Sequence, residues 1–313
     1  MQPEIISIGE ALVEIMRPDV GQPLEQPGEF IGPFASGAPA IMAVAMARLG
    51  KTVGFIGGIG EDPFGKLLSN RLISENVDTR QMQTPLGHTT GVAFVSYGTA
   101  GEREFVFHLR NAASGALDSD QIDPAYFAQV KWLHISGSTL ALNANSREAC
   151  RRALDYTRAV GGNFSFDPNL RIELMSVAES REVFKPFIEA ADVLLPTLSE
   201  AHALAGTRED EAAARFLMGG QDKLVVFKRG PEGCSVFSKG KRFDAEGFPV
   251  DEVDPTGAGD CFNAAFLFGL DVGWPIENAA RFANAAGALS VTVKAPMDSA
   301  PQKTEIDNLL KSN

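Results

Sequence analysis

Cysteine is scarce in this chain: three in 313 residues, Cys150, Cys234 and Cys261, far apart and without a Cys-x-x-Cys pair. That excludes a disulfide framework and a thiolate zinc site, and leaves buried thiols in a reducing cytosol as the plain reading. Histidine offers a metal no more, since His88, His108, His134 and His202 are scattered and no His-Glu-x-x-His occurs. Positive charge is also short, with 28 Lys plus Arg against 40 Asp plus Glu and a formal charge of −12. The basic footprint of a nucleic-acid binder is therefore missing. An anionic small molecule stays admissible, because a helix N-terminus, a few Arg or Lys and a metal can hold phosphate on an acidic protein. Long apolar runs are lacking too. The longest uncharged stretch, Phe30 to Ala47, is broken by Gly32, Pro33, Gly37 and Pro39 and does not read as a membrane span. Met1 to Met16 carries Glu4, Glu10 and Glu14 with no basic start, unlike a secretory signal. The expectation is a cytoplasmic protein with no nucleic-acid or membrane partner.

What is present is an ordinary globular composition, 44% hydrophobic and 22% charged, arranged in a strand–helix rhythm. Ile5 to Ile8 reads as a buried strand, Pro39 to Leu49 as an alanine-rich helix closed by Gly50, Val53 to Ile56 as a strand and Phe64 to Glu75 as a helix. The rhythm returns with strands at Trp132 to Ile135, Asn163 to Phe166, Val193 to Leu195 and Leu224 to Lys228. Helices are expected at Ser146 to Val160, near Glu179 to Ala190, at Asp210 to Met218, and in a final pair, Cys261 to Leu270 and Ile276 to Val291. Such alternation predicts one α/β domain over 1–313, a mostly parallel sheet with helices on both faces. Two stretches break the pattern. Residues at about 14–34 are rich in Pro and Gly, and those at about 89–110 read as a β-hairpin turning at Gly98 to Gly101. These extra strands fit a small sheet standing off the core as a lid.

Gly60-Glu-Asp-Pro-Phe-Gly65-Lys66 approaches a Walker A loop, but Leu67 stands where the magnesium-binding hydroxyl belongs and Pro63 removes a donor. A turn preceding a helix is the better reading. The segment Asp254-Pro-Thr-Gly-Ala-Gly-Asp260 differs, because small residues lead straight into an apolar helix. The N–H groups of Gly257, Ala258 and Gly259 are then expected unpaired at a helix start, an anion site made by the dipole and free donors. A carboxylate in that turn repels a phosphate, yet it makes sense if Asp260 accepts a proton from an attacking hydroxyl while the loop steadies the phosphoryl group. On the bare sequence, an acidic residue assisting its helix dipole remains the alternative.

The same segment resembles the C-terminal signature of the ribokinase (PfkB) carbohydrate-kinase family. The N-terminal signature is recognisable in Ser36-Gly-Ala-Pro-Ala-Ile-Met-Ala-Val-Ala-Met-Ala-Arg-Leu-Gly50 and in Gly57-Gly-Ile-Gly-Glu-Asp-Pro-Phe-Gly65. The resemblance extends over essentially the whole chain and implies a ribokinase-like three-layer α/β/α fold with a β-sheet lid. It implies Asp260 as catalytic base and Gly257, Ala258 and Gly259 as the anion hole for the γ-phosphate of ATP. Asp254 and Thr256 match positions that help to bind a monovalent cation, usually K+. Lys228, Gly230 and Gly233 match the strand and turn lining the nucleotide pocket, and Asn284 and Gly287 lie in a stretch matched near the adenine. Phe166-Asp-Pro-Asn-Leu-Arg171 resembles a motif in which Asn169 and Arg171 face sugar and phosphates; a surface arginine capping a loop is the plain alternative for Arg171. A homodimer through the lid is a further expectation of the resemblance.

The chain also departs from the family. Thr197-Leu-Ser-Glu200 stands for Asn-x-x-Glu, leaving Glu200 to order Mg2+ through water. Ser36, Gly37, Ala38 and Ile41 replace the sugar-binding Gly-Gly-x-x-x-Asn, and an apolar Ile41 cannot hydrogen-bond a hydroxyl. Glu14 stands where an Asp is frequent, and Arg110, after the hairpin, is a candidate sugar contact. The pattern from Gly32 to Ile41 with Phe166 to Arg171 resembles tagatose-kinase-like members, and Leu133 to Leu142 resembles 2-keto-3-deoxygluconate-kinase-like ones. The expected reaction is phosphorylation of a primary hydroxyl on a C6 ketose, tagatose or fructose; a keto-acid sugar, and a sugar-binding regulator without turnover, are the alternatives.

Overall fold

Residues 2–99 and 102–312 are described by a computed structural model of the chain. Of the turn expected at Gly98 to Gly101, Ala100 and Gly101 lie outside the described residues. The chain opens with β1 (Ile5–Ile8), β2 (Leu12–Met16), β3 (Ile31–Ser36), α1 (Ala38–Arg48), β4 (Val53–Gly58) and α2 (Pro63–Ser74). It continues through β5 (Asp78–Gln83), β6 (Gly91–Tyr97), β7 (Arg103–His108), β8 (Trp132–Ser136), the single turn α3 (Gly137–Leu140), α4 (Ala144–Ala159) and β9 (Asn163–Asp167). Then come α5 (Val177–Ala190), β10 (Val193–Leu194), α6 (Leu198–Ala205), α7 (Asp210–Met218), β11 (Leu224–Lys228), β12 (Cys234–Ser238) and β13 (Lys241–Ala245). Last are α8 (Ala258–Asp271), α9 (Ile276–Ser290) and α10 (Lys303–Ser312).

A 9-stranded sheet runs in the order β13-β12-β11-β10-β9-β8-β1-β4-β5. Its neighbours from β11 to β5 are parallel, and β12 and β13 close the edge as an antiparallel hairpin. Ile5 to Ile8 and Val53 to Gly58 are buried at every position, as strands covered on both faces must be. Alternate side chains part company: Ile5 and Phe55 enter a core shared with α1, α8 and α9, while Ile6, Ile8 and Ile56 enter one shared with α4, α5 and α7. The architecture is the ribokinase-like α/β fold expected. No helix among the described residues is long and apolar enough to cross a membrane.

The lid is a separate 4-stranded sheet in the order β3-β2-β6-β7. The segments 14–34 and 89–110 supply most of it, β2 starting earlier at Leu12 and residues 17–30 forming an irregular connection. Fully buried Arg17 fastens that connection by donating to the carbonyls of Glu29 and Pro23. Along β7 exposure alternates, so Arg103, Phe105 and Phe107 share one face and Glu104, Val106 and His108 the other. The Walker-like stretch is a helix start: Asp62 caps α2 by accepting from Gly65 N–H at 2.8 Å, and its other contacts reach Thr90 at the foot of the lid.

Helix α8 sets the site. Gly257 precedes it with φ 85°, the left-handed region, and a Cβ there would lie 3.2 Å from Pro296 O and 3.3 Å from Ile41. From Asp260 to Gly269 every residue is buried, with the Phe262 and Phe266 rings stacked at 6.1 Å. Helices hydrophobic all round belong to the interior, so the start of α8 is held rigidly. Phe266→Ala is expected to lower unfolding stability by about 3–5 kcal/mol, read from urea denaturation; a loss below about 1 kcal/mol would mean that α8 is not so anchored.

Candidate active site

Parallel strands deliver their C-terminal ends to one edge of the sheet, where open α/β sheets hold ligands. Glu10 follows β1, Ser138 follows β8, Asp167 ends β9, Thr197 follows β10 and Lys228 ends β11. With the inner face of the lid and the start of α8 they line a cleft of about 180 Å³.

At one end lies the loop into α8. Among the described residues the N–H groups of Gly257, Gly259 and Asp260 have no acceptor, and that of Ala258 reaches only Pro255 O at 3.4 Å. These donors point past the helix end toward the cleft, which Gly257, Gly259 and Asp260 line. Asp260 is 8% exposed, and no hydrogen bond from a described residue holds its carboxylate. Burial, then repulsion from Asp167, pushes it well above the usual carboxylate range, against the pull of Lys228 and Arg171. The sequence reading missed Asp167. Its Oδ2 accepts from Lys228 Nζ at 2.7 Å and from Asn263 Nδ2 at 2.6 Å, and its Oδ1 from Asn169 N–H at 3.1 Å. Lys228 is thus on the cleft floor, its ammonium 3.3 Å from where a Cβ on Gly259 would stand. Glu200 is engaged through both oxygens, Oε1 accepting from Leu170 N–H and Oε2 from Thr197 N–H, each at 2.8 Å. Thr197 caps α6 in return, so at this position threonine satisfies the helix end that an asparagine would.

Two further buried carboxylates line the cleft. Glu10, unnoticed in sequence, accepts from Ser138 Oγ at 2.6 Å and Thr139 Oγ1 at 2.5 Å. Glu14 Oε1 accepts from Ser36 Oγ at 2.5 Å, and its Oε2 is buried without a partner. Burial pushes the Glu14 carboxyl up to about 7. Gly37 lets β3 pass Glu10, whose carbonyl would stand 2.4 Å from a Cβ. Ala38 and Ile41 line the cleft from α1. Asn169, at φ 36°, turns its amide to Ser136 Oγ at 3.0 Å. Arg171 lines the cleft with its guanidinium 5.9 Å from the Phe105 ring centre and no carboxylate in ion-pair range among the described residues. Arg110 is exposed and outside the lining; Arg103, from the opposite end of β7, enters the cleft instead.

Four expected nucleotide residues do not line the cleft. Gly233, at φ 91°, packs where a Cβ would lie 2.1 Å from Ala245 O, and Asn284 Nδ2 donates to Ala245 O at 3.0 Å and Glu246 O at 2.9 Å. Gly230 turns the chain at φ 58° after β11. Gly287 brings α9 against the start of α8, 3.5 Å from Ala258 O to a would-be Cβ. Asp254 and Thr256 stand just before Gly257. Asp254 Oδ1 accepts from Thr256 N–H at 2.9 Å, and its Oδ2 is buried and unpartnered.

A free carboxylate beside unpaired helix-end donors, beneath a β-lid, is the arrangement of a phosphoryl-transfer enzyme acting on a hydroxyl. Residues 2–303 match the pfkB family carbohydrate kinase profile. The chain is 32% identical over 319 residues to a fructokinase of Klebsiella pneumoniae, covering 99% of this chain and 100% of the relative. It is 30% identical over 317 residues to a 5-dehydro-2-deoxygluconokinase of Geobacillus kaustophilus (strain HTA426), covering 99% and 94%. Among solved structures, an E. coli protein given the provisional name Ribokinase II superposes with TM-score 0.93 at 37% identity over 99% of this chain and 100% of that one, both in the apo form and in complex with ATP and Mg2+. A fructokinase double mutant of Vibrio cholerae O395, bound to fructose, ADP and potassium ion, superposes with TM-score 0.87 at 30% identity over 99% of each chain. The protein belongs to the pfkB family of carbohydrate kinases and is a sugar kinase.

The Glu14 carboxyl yields a stability prediction. Folded Glu14 keeps its proton up to about pH 7, while the unfolded group loses it near 4.5. The folded state binds more protons in that window, so stability relative to Glu14→Gln falls as pH rises from 4.5 to 7 and then levels off. The expected loss is roughly 3 kcal/mol, measured as the difference in urea unfolding between the two proteins at pH 4.5 and pH 8. A difference independent of pH would show that Glu14 titrates normally.

Proposed function

We propose that the protein transfers the γ-phosphate of ATP to a primary hydroxyl of a C6 ketose of the tagatose or fructose type. The observation that carries this reading is the Asp260 carboxylate, buried on the cleft wall without a hydrogen bond beside the acceptor-free N–H groups of Gly257 and Gly259. The sugar hydroxyl gives its proton to Asp260 as its oxygen attacks the γ-phosphorus; the bond to the β-γ bridging oxygen breaks and ADP leaves. Charge spreading over the transferring group meets the helix-end donors, Lys228 and Arg171. Glu10, Glu14 with Ser36, and Asn169 supply acceptors and donors for the sugar hydroxyls.

Two cations fit the residues present. Each Glu200 oxygen accepts one backbone N–H, which leaves lone pairs for water around a magnesium ion, the charge neutraliser that phosphate transfer uses. Among the described residues no three His, Cys, Asp or Glu side chains gather closely enough to hold a metal directly, in keeping with coordination through water and nucleotide. Asp254 Oδ2, buried and unpartnered, fits a monovalent cation beside the loop, with Thr256 next to it. The Vibrio cholerae structure with fructose, ADP and potassium ion supports the monovalent cation, and the E. coli complex with ATP and Mg2+ supports the magnesium.

A second reading, a 2-keto-3-deoxy sugar acid as substrate, has its own support. Among the described residues Arg103 and Arg171 face the cleft without a carboxylate in ion-pair range, and 5-dehydro-2-deoxygluconokinases are among the relatives. A homodimer through the lid belongs to the proposal as well, since Phe30 and Val106 leave 40% and 42% of their surface exposed there.

A coupled ADP-release assay with tagatose, fructose, 2-keto-3-deoxygluconate, ribose and adenosine tests the substrate; turnover with adenosine alone sinks both readings. Asp260→Asn is expected to lower kcat by roughly 10²–10⁴-fold with sugar affinity by calorimetry little changed. Retained turnover would return Asp260 to a helix-dipole role.

A further inference from the structure

The lid touches the phosphate loop directly. Tyr97 ends β6 and stands opposite Arg103 across the hairpin. Its Oη donates to Asp254 Oδ1 at 3.0 Å and lies 3.5 Å from Thr256 Oγ1, to which Arg103 Nη1 donates at 3.4 Å. The same Asp254 Oδ1 accepts the Thr256 N–H, so one carboxylate oxygen joins the lid to the backbone running into Gly257. A separate tie follows the same seam: Lys294 Nζ, beyond α9, donates to Pro18 O in the β2–β3 connection at 3.0 Å. The N–H groups of Val253 and Asp254 both reach Val291 O, which fastens the two loops to each other.

Asp254 is 1% exposed, and a carboxylate so deeply placed depends on its donors. Without the phenol, Oδ1 would keep one donor and Oδ2 none, so the side chain would turn to seek another partner and carry the 254–256 turn with it. Arg103, beside Tyr97, lines the sugar cleft, so a ligand held by Arg103 also holds Tyr97 on Asp254.

We propose that Tyr97 is a positioning residue that couples the sugar lid to the phosphate loop, setting the donors at Gly257 to Gly259 when the lid is down. Its ligand rests on the kinase reading above; the contact itself does not. Tyr97→Phe keeps the ring and removes only the hydroxyl, so the fold is expected to be retained. Amide hydrogen exchange is to be measured on wild type and Tyr97→Phe, each alone and with saturating D-tagatose or D-fructose. Without ligand, the hydrogen-bonded amides of Asp254 and Thr256 in the variant should exchange roughly tenfold faster, with β1, β4 and α9 unchanged. With sugar, wild type should gain protection at both the lid strands and 254–260, and the variant at the lid strands alone. In turnover, kcat should fall about tenfold with sugar KM within about twofold. Equal exchange at Asp254 and Thr256 in the two ligand-free proteins overturns the proposal whatever the sugars do. If neither sugar protects the wild-type lid, the proposed substrate is wrong, and the ligand-free comparison still decides the role of Tyr97.

Discussion

The structure turns on an electrostatic conflict between carboxylates and an anionic ligand. Glu10, Asp167, Glu200 and Asp260 all border one cleft, and burying such groups is costly unless each is bonded. Three of them are: Glu10 by two hydroxyls, Glu200 by two backbone amides, Asp167 by an ammonium and an amide. Of these four, Asp260 alone has no hydrogen-bond donor among the described residues. The distribution of partners, rather than the identity of the side chains, therefore singles out the group free to take a proton. Lys228 is central to this balance. At 2.7 Å from Asp167 it offsets one negative charge and extends positive potential toward the phosphate loop, which repulsion from Asp167 would otherwise oppose.

That balance requires groups from distant parts of the sequence to stay fixed within hydrogen-bond range. Rigid elements provide this: Asp167 and Lys228 end strands of the same parallel sheet, and Asp260 and Asn263 share the first turns of a helix buried almost throughout its length. The remaining groups come from the thinner lid. Arg103, Phe105 and Phe107 reach the cleft only because β7 alternates faces and pairs with β6 in one register. A slip of one residue would exchange them for Glu104, Val106 and His108 and bring a further carboxylate into an already acidic cleft.

Legibility in the sequence followed the physics of each element. The strands of the sheet interior and the loop into α8 were readable, because continuous apolar runs and a Gly-rich helix start are local signals; β11 and α7 fall at the expected residues. Strand β5, Asp-Thr-Arg-Gln-Met-Gln, was invisible since an edge strand needs no apolar run. The hairpin β12–β13 and the short α6 were missed as well, the former because its polar residues alternate weakly, the latter because it depends on a capping box read only as a metal motif. In the cleft Asp167, Glu10 and Arg103 went unread as site residues, and beside it Tyr97. Each draws its meaning from partners over a long sequence separation, Asp167 from Lys228 and Asn263, Glu10 from Ser138, Tyr97 from Asp254. No window of sequence contains such pairs.

Ile41 shows how reaction and choice of substrate are separated. Where hydrogen bonding to a sugar was the expected duty, its branches pack near Gly257, 3.3 Å from a would-be Cβ, and help to shape the phosphate loop. Hydrogen bonding at that end of the cleft then falls to the neighbouring pair Ser36 and Glu14 on β3 and β2. Among the described residues Glu14 keeps one buried oxygen without a partner, an atom whose desolvation is relieved only when a hydrogen-bonding partner arrives. On the proposed reading a sugar hydroxyl, which can accept from the protonated acid or donate to the carboxylate, supplies that partner, and a sugar lacking it leaves the oxygen unsatisfied. Discrimination of this kind exceeds what an apolar wall can achieve. On the proposed reading the lid strands thus share the choice of sugar with Glu10 and Asn169 at the sheet edge, while the chemistry lies in the sheet and in α8.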